Sequence, residues 1–439
     1  LKGFRDHLPD QALAREQVLD VVRRVYRGYG FAPIDTPALE YLEILTGKGS
    51  EETDKQMYRF TDHGGREVGM RFDLTVPFAR FAAQHVHQLG LPFKRYHMAS
   101  VWRGENTQRG RYREFMQCDF DTIGTTSPVA DLEMVLVVHD MLTAVGVGPF
   151  TIRVNDRRVL GGVLSSLGLA DRSASVLRSL DKLGKATPAA VAAELQGHGV
   201  SAAAAETLLE MAALVGPPAD VLDRLERLVG EDAGGRSGVA ALRGLVEGTQ
   251  AAGVAAGRVV IDPSIARGLD YYTGIVLESF LDDLPGLGSI CSGGRYDNLA
   301  GLYTKQPLPG VGASLGIDRL LAGLEELGRL GTAQTPADLF LVHFSARHLP
   351  DYLRIAAVLR GQGVAVEFFP EPKRVGQQLK LAAQRGFPLA LIMGEDEFAK
   401  GTAQLKKLAA EESATINWHG DVAVLADAVL SVLRGLGRG

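Results

Sequence analysis

Apolar residues recur at helical spacing from Gln11 to Tyr29 and the run stops at Gly30, which predicts an amphipathic helix with a left-handed glycine stop. The next stretch, Phe31-Ala-Pro-Ile-Asp-Thr-Pro37, is short, extended and broken by prolines. Lys94–Arg103 and Arg113–Ile123 are dense in aromatic and β-branched residues, as strands are. In the second of these, Gln117, Asp119 and Asp121 recur at every second position and so share one sheet face, with Met116, Cys118 and Phe120 on the other. The segment joining the two strands, Gly104–Tyr112, is longer than a usual hairpin loop, and long ordered loops on a rigid hairpin often carry function.

Beyond Phe150 the pattern changes. The chain has 17 Phe, 11 Tyr and 2 Trp, yet none falls between Phe150 and Tyr271. That stretch is Ala- and Leu-rich at helical spacing and is punctuated by Pro217-Pro218 and Gly234-Gly235, so residues 166–255 read as a small helical domain inserted into a larger one spanning 1–330. After Gly331-Thr-Ala-Gln-Thr-Pro336 strands alternate with helices. Asp338–Phe344, Val364–Phe369 and Pro388–Gly394 read as strands, and Leu349–Arg360 and Arg374–Arg385 as helices. This predicts a parallel or mixed α/β domain over 336–439.

Composition narrows the function classes. A chain of 439 residues has room for about three domains of ordinary size. With 47 Lys and Arg against 52 Asp and Glu, bulk positive charge does not hold it to nucleic acid, and any such site must be a local surface. Residues 338–439 are nearly balanced, with 12 Lys and Arg against 11 Asp and Glu. Two cysteines, Cys118 and Cys291, make neither a disulfide framework nor a zinc cluster and fit a cytoplasmic protein. The charged start is not a signal peptide, and no apolar run approaches a membrane span.

Some patterns mislead. Gly312-Ala-Ser-Leu-Gly316 matches a hydrolase nucleophile elbow, but two prolines precede it where a strand is needed. The run Gly310–Gly316 mimics a dinucleotide loop with its third glycine one position late and no βαβ unit around it. His85-Val-His87 lacks a third ligand nearby and reads as solvated. Other groupings carry more. Arg103, Arg109, Arg111 and Arg113 lie within eleven residues, a density suited to clamping phosphate, although charge alone leaves a solvated loop equally open. The face of Gln117, Asp119 and Asp121 suits a small polar, cationic ligand, and an exposed sheet face is as consistent with the charge pattern. Arg267-Gly-Leu-Asp-Tyr-Tyr272 and Ser292-Gly-Gly-Arg-Tyr-Asp297 pair glycines that admit close approach with tyrosines that offer a flat face and a hydroxyl tip.

Together these segments resemble the histidyl-tRNA synthetase family of class II aminoacyl-tRNA synthetases, across essentially the whole chain. Gly30–Pro37 with Glu40 resembles class motif 1, Trp102–Asn106 through Arg113–Phe115 motif 2, and Gly312–Arg319 motif 3. Arg267–Tyr272 and Gly293–Asp297 resemble the two histidine-specific signatures. The resemblance implies an α+β fold: a catalytic domain with an antiparallel sheet flanked by helices, a helical insertion, and a C-terminal α/β anticodon-binding domain. It implies ATP-dependent attachment of L-histidine to tRNA(His) through a histidyl-adenylate, with Mg²⁺ on the phosphates, by a homodimer.

Site roles follow from the same resemblance. Asp73, Leu74 and Thr75 with Gln117 match the positions around the histidine α-amino group. Asp121 matches the reader of one imidazole nitrogen and Tyr272 of the other, with Tyr271 in the same pocket. Arg103 matches the arginine on the ATP α-phosphate and near the histidine. Glu105 and Arg111 match further ATP contacts, Phe115 the adenine stacker, and Arg319 the motif 3 arginine on the phosphate tail. Arg103 and Arg267 are the expected catalytic pair, with Arg267 also in the histidine site. Lys400–Lys407 resembles a basic segment of the anticodon domain. Two departures bear on geometry: Arg71-Phe-Asp-Leu-Thr75 differs from the Arg-Pro-Glu-Gly-Thr form common in bacterial members, and Asp318 stands where class members often carry Glu. The principal rival is the family's non-catalytic paralogue, the regulatory subunit of ATP phosphoribosyltransferase, which lacks the C-terminal domain and the signature arginine; both are present here. A synthetase for threonine, proline or glycine would need neither Arg267–Tyr272 nor Asp121.

Overall fold

The structure is a computed structural model, and it describes residues 1–46, 55–180, 182–183, 186–265, 272–331 and 334–436. The chain forms two compact units, Leu1–Arg5 with Val18–Arg329, and Asp6–Gln17 with Leu330–Gly439.

The amphipathic helix is α1 (Pro9–Gly28), of which the part from Val18 onward belongs to the first unit, and Gly30 adopts φ +79°, the conformation that ends it. Its Val22 and Tyr26 are fully buried, and the Tyr26 hydroxyl donates to the Cys118 carbonyl at 2.9 Å. Ala32–Pro33 (β1) opens a large sheet. Leu39–Tyr41 (β2), Leu42–Thr46 (α2), Arg59–Thr61 (β3) and Glu67–Met70 (β4) follow, and these strands form a separate sheet in the order β2-β4-β3. Thr75–Leu89 (α3) leads into the long hairpin of Phe93–Trp102 (β5) and Glu114–Ile123 (β6). Pro128–Val145 (α4) starts on a Ser127 cap and leads to Phe150–Asp156 (β7).

From there the described chain is helical until the sheet resumes: Arg157–Ser166 (α5), Ser173–Leu180 (α6), Pro188–Gly197 (α7), Ala202–Ala212 (α8), Pro218–Val229 (α9) and Ala233–Ala251 (α10). Val259–Ile261 (β8), Ile275–Leu281 (β9), Cys291–Tyr296 (β10) and Gly310–Gly316 (β11) complete the sheet, and Ile317–Glu326 (α11) leaves it.

The eight strands lie in the order β1-β5-β6-β11-β10-β9-β7-β8. Every pairing from β5 to β7 is antiparallel, while the edge pairs β1–β5 and β7–β8 are parallel. The expected antiparallel sheet is therefore a mixed sheet with an antiparallel middle. The late strand β11 enters beside β6, and β10 lies on its far side, so the Gly310–Gly316 run borders the Gln117–Asp121 residues and the Gly293–Tyr296 segment is one strand further on.

The second unit contains Leu339–Leu341 (β12), Leu349–Gly361 (α12), Val366–Phe368 (β13), Val375–Gln384 (α13), Leu389–Ile392 (β14), Glu395–Lys400 (α14), Thr402–Lys407 (β15), Glu412–Asn417 (β16) and Val422–Gly435 (α15). Its sheet order is β13-β12-β14-β15-β16, parallel among the first three and antiparallel after. Strand β12 is buried on both faces. Leu339 and Leu341 join the core of α12 and α15, while Phe340 packs with Ala382 and Phe387 on the other side. Two-sided burial is why this strand reads as a continuous apolar run rather than an alternation.

Candidate active site

The register of the β5–β6 hairpin builds the site. Arg95, His97 and Ala99 stand opposite Asp121, Asp119 and Gln117, and β11 places Gly312, Ser314 and Gly316 on the other side of the same three residues. Gln117, Asp119 and Asp121 thus share a face that is buried, not solvated. Arg95 is fully buried, its Nη2 2.7 Å from Asp121 Oδ2, and its guanidinium lies over the Phe78 ring at 4.3 Å. The same nitrogen donates to the Leu74 carbonyl at 3.3 Å. The Tyr296 hydroxyl donates to Asp121 Oδ1 at 2.5 Å. Asp121 is therefore held from both sides in a set orientation. Burial nevertheless pushes its pKa up, and pushes that of the Tyr296 hydroxyl well up.

Room for this arrangement comes from glycine. A Cβ on Gly312 would stand 2.2 Å from Asp121 Oδ1, and one on Gly294 would stand 2.9 Å from the Tyr272 ring. Asp73, at the start of α3, accepts from the Val76 amide at 3.0 Å and is itself buried, which raises its pKa against the pull of Arg103 and Arg95. Leu74 is fully buried and Thr75 begins α3. Asp119 is pushed up to about 7, chiefly by burial and then by Asp121 and Asp73, although Arg95 and a Ser314 hydrogen bond oppose this. Across the hairpin His97 is pushed down to about 4 by burial, then by Arg95 and Arg71, with Nε2 3.0 Å from Asp35 Oδ1.

The arginine-rich loop stands at the open end of this face. Arg103 donates from Nε to the Phe72 carbonyl at 3.1 Å, with its guanidinium over the Phe72 ring at 4.3 Å and the Phe115 ring at 5.1 Å. Arg111 lies 3.5 Å from Glu105, and Arg319 donates to the Ser289 carbonyl at 2.5 Å. A cavity of about 120 Å³ gathers Arg103, Glu105, Arg111, Phe115, Gln117 and Arg319 on its walls. A larger one of about 1430 Å³ shares Arg111, Ser289 and Arg319 with it and includes Arg153, Asp262 and Glu278. Arg109, by contrast, pairs with Glu326 at 2.8 Å beside the larger space, and Arg113 turns back to the Glu105 carbonyl.

The motif 3 carboxylate has a structural partner set. Asp318 accepts from Arg5 at 2.6 Å and from the Met116 amide at 2.8 Å, while the Arg5 guanidinium lies over the Tyr112 ring at 3.2 Å. Arg295 of the second signature is buried, forks onto Asp131 at 2.8–3.2 Å and reaches the Thr125 carbonyl at 3.0 Å. Its position is architectural, and Tyr296 is the residue of that signature that reaches the pocket. Arg267 and Tyr271 lie outside the described residues, so the structure is silent on them. The structure brings together the remaining candidates in two neighbouring groups: Asp73, Leu74, Thr75, Asp121 and Tyr272 around the buried face, and Arg103, Glu105, Arg111, Phe115, Gln117 and Arg319 around the smaller cavity. Sequence reasoning missed Arg95 altogether and gave Tyr296 no role.

Ser314, the serine of the elbow-like sequence, lies inside β11 between two antiparallel neighbours rather than on a strand-to-helix turn. His85 packs against the Phe81 ring within α3.

A largely antiparallel sheet carrying the buried Asp119 and Asp121 on one face with Asp73 of the α3 start near them, an arginine-bearing hairpin at its open end, and a separate α/β unit define a class II aminoacyl-tRNA synthetase. Sequence comparison makes the assignment specific. The family profile described as histidyl-tRNA synthetase matches residues 3–320, and the one described as anticodon binding domain matches residues 338–426. The chain is 55% identical over 431 residues to a histidine--tRNA ligase of Rhodopirellula baltica, covering 98% of each, and 43% identical to one of Wolinella succinogenes, covering 93% of each. The crystal structure of histidyl-tRNA synthetase from Nostoc sp. PCC 7120 superposes with a TM-score of 0.90 at 36% identity, covering 98% of each chain. The chain belongs to the histidyl-tRNA synthetase family and is an aminoacyl-tRNA ligase.

Proposed function

We propose that the chain joins L-histidine to ATP as histidyl-adenylate and transfers the histidyl group to the 3′ end of tRNA(His). The observation that carries this reading is the juxtaposition of the buried carboxylate face with the cavity lined by Arg103, Arg111, Phe115 and Arg319. In the first step a histidine carboxylate oxygen attacks the ATP α-phosphorus and the bond to the bridging oxygen breaks, releasing pyrophosphate. Charge grows on the phosphate oxygens, and guanidiniums fixed beforehand stabilise it without reorganisation. Arg103 takes that role in this reading, held by the Phe72 carbonyl and the Phe115 ring; Phe115 stacks the adenine, Glu105 and Arg111 bound the nucleotide, and Arg319 meets the phosphate tail. In the second step a ribose hydroxyl of the tRNA attacks the adenylate carbonyl and AMP leaves, so no enzyme nucleophile is needed.

Asp73, with Thr75, Leu74 and Gln117, holds the α-amino group in this reading. Asp121, pinned by Arg95 and Tyr296, accepts an imidazole N–H, and Tyr272 meets the other nitrogen, with Tyr271 beside it. A buried acceptor set for an N–H rejects isosteres that lack it, because the carboxylate is then left unpaired. Glu105 and Glu278, two of the carboxylates lining the cavities, have the oxygen chemistry that would hold Mg²⁺, which when bound would supply positive charge against the ATP phosphates.

We read residues 1–330 as the catalytic domain, 166–255 as its insertion and 336–439 as the anticodon-binding domain, where Lys400–Lys407 contributes charge. The exposed Leu39, Tyr41 and Phe60 on the β2-β4-β3 sheet support a homodimer through that sheet. Among the described residues no helix is long and apolar enough to cross a membrane; the cysteine usage supports the cytoplasm.

Charging assays test the reading: tRNA(His) accepts labelled histidine from this protein, and tRNAs for other amino acids do not. Arg267→Ala lowers kcat far more than it weakens histidine binding if Arg267 acts in the transition state. Equal loss in both, or no loss, removes it from the catalytic pair.

A further inference from the structure

Asp119 is unaccounted for by the residue roles above. It stands midway between Gln117 and Asp121 on the buried face and is 2% exposed. Ser314 hydrogen-bonds one side of its carboxylate, but its Oδ1 has no hydrogen-bond partner, and no cation lies within 4 Å of it among the described residues. Arg95, the cation whose charge acts on it, pairs directly with Asp121 instead. Around Asp119 lie His97 and Arg95 on β5, Gln117 and Asp121 on β6, Ser314 on β11, and the Asp73 carboxylate. His97 does not serve as a counter-charge, because its own burial keeps it neutral near pH 7.

An unpaired carboxylate in a dry pocket is costly and persists where function uses it. The neighbouring Gln117 Oε1 is also buried without a partner. Three buried acceptors on β6 lack a hydrogen-bond partner; Asp121 Oδ2 has the Arg95 guanidinium 2.7 Å away, which leaves Gln117 Oε1 and Asp119 Oδ1 to call for a multivalent donor, and the donor must carry positive charge to satisfy Asp119. Of the groups on free histidine, the amino acid of the proposed reaction, only the α-ammonium is a full cation with three N–H bonds at neutral pH.

We propose that Asp119 is a further substrate-binding residue, whose Oδ1 receives the α-ammonium of the bound amino acid beside Gln117. This rests on the reading of the pocket as an amino-acid site. Asp121 then reads the imidazole end, and Asp119 adds a second carboxylate to Asp73 at the backbone end. The pocket therefore selects a free, protonated amine as well as a side chain.

The test compares wild type with Asp119→Asn, which keeps shape and removes charge. Calorimetry measures binding of L-histidine and of imidazolepropionate, which has the ring and carboxylate but no amine. The proposal expects histidine affinity to fall at least ten-fold in Asp119→Asn, with Asp73 and Gln117 still holding part of the amine, while the affinity for imidazolepropionate is unchanged. The KM for histidine rises in parallel while kcat stays within a few-fold. The unliganded variant melts higher than wild type, because an unpaired buried charge has gone. Unchanged histidine affinity overturns the proposal, as does an equal loss for both ligands. A lower melting temperature with a general loss of activity also overturns it, since that marks a structural role. Should wild type bind neither ligand nor catalyse histidine-dependent exchange, the amino-acid reading of the pocket fails, and this proposal fails with it. Wild type that is active while Asp119→Asn matches it sinks the proposal alone.

Discussion

At the scale of residues, the site sets three buried carboxylates, Asp73, Asp119 and Asp121, against the guanidiniums of Arg95 and Arg103. The cost shows in titration. Asp119 moves from an ordinary 3.8 to about 7 in the folded chain, so between those values the folded state holds a proton that the unfolded state has lost. Its contribution to stability is therefore intact at about pH 4 and is lost as pH rises through 7, a penalty of a few kcal/mol by linkage. His97 runs the other way: a base held neutral down to about pH 4 loses stability as pH falls below its ordinary 6.5. The difference in melting temperature between Asp119→Asn and wild type cancels the His97 contribution. It should be small at pH 4, grow in favour of the variant up to pH 7, and level off above. A difference that does not vary with pH would contradict this account of Asp119.

Among the elements, β6 and β11 do most to shape the pocket. Strand β6 presents the acceptors, and β11 makes room for them by carrying Gly312 opposite Asp121. Gly312→Ala places a methyl 2.2 Å from Asp121 Oδ1 and 2.4 Å from the Phe120 carbonyl, where backbone cannot yield cheaply. We expect a loss of about 1–3 kcal/mol in stability and a much larger loss of histidine activation, read by urea melts and by KM for histidine. Retention of wild-type KM would show that Asp121 is not held as described. Much of this was legible in the sequence. The alternation of Gln117, Asp119 and Asp121 gave their common face, and the loop centred on Gln108 gave the hairpin. The register pairs residue 95 with residue 121, but nothing in the local pattern distinguishes Arg95 from any other charge on a strand. Burial was not legible. The polar face has the same pattern whether solvent or β10 and β11 lie beside it, and that depends on strands nearly 200 residues later.

For the whole molecule, the aromatic-free stretch and the strand–helix repeats anticipated where helices and sheets segregate, because each reflects local composition. The order β1-β5-β6-β11-β10-β9-β7-β8 could not be derived from patterning, since it depends on long-range pairing. Resemblance implied only an antiparallel sheet flanked by helices, and it supplied the expected role of Arg103; Arg295 looks the same as an isolated charge, and the structure is what buries it on Asp131 while Arg103 lines the cavity. The central claim is that one buried pocket selects histidine while the arginine-lined cavity beside it activates its carboxylate. ATP–pyrophosphate exchange by the purified protein, without tRNA, across a panel of amino acids tests both halves together. The account predicts exchange with L-histidine alone. Exchange with a different amino acid would contradict the assignment of Asp121 and Tyr272, and no exchange with any, from a folded protein, would contradict the adenylate chemistry itself.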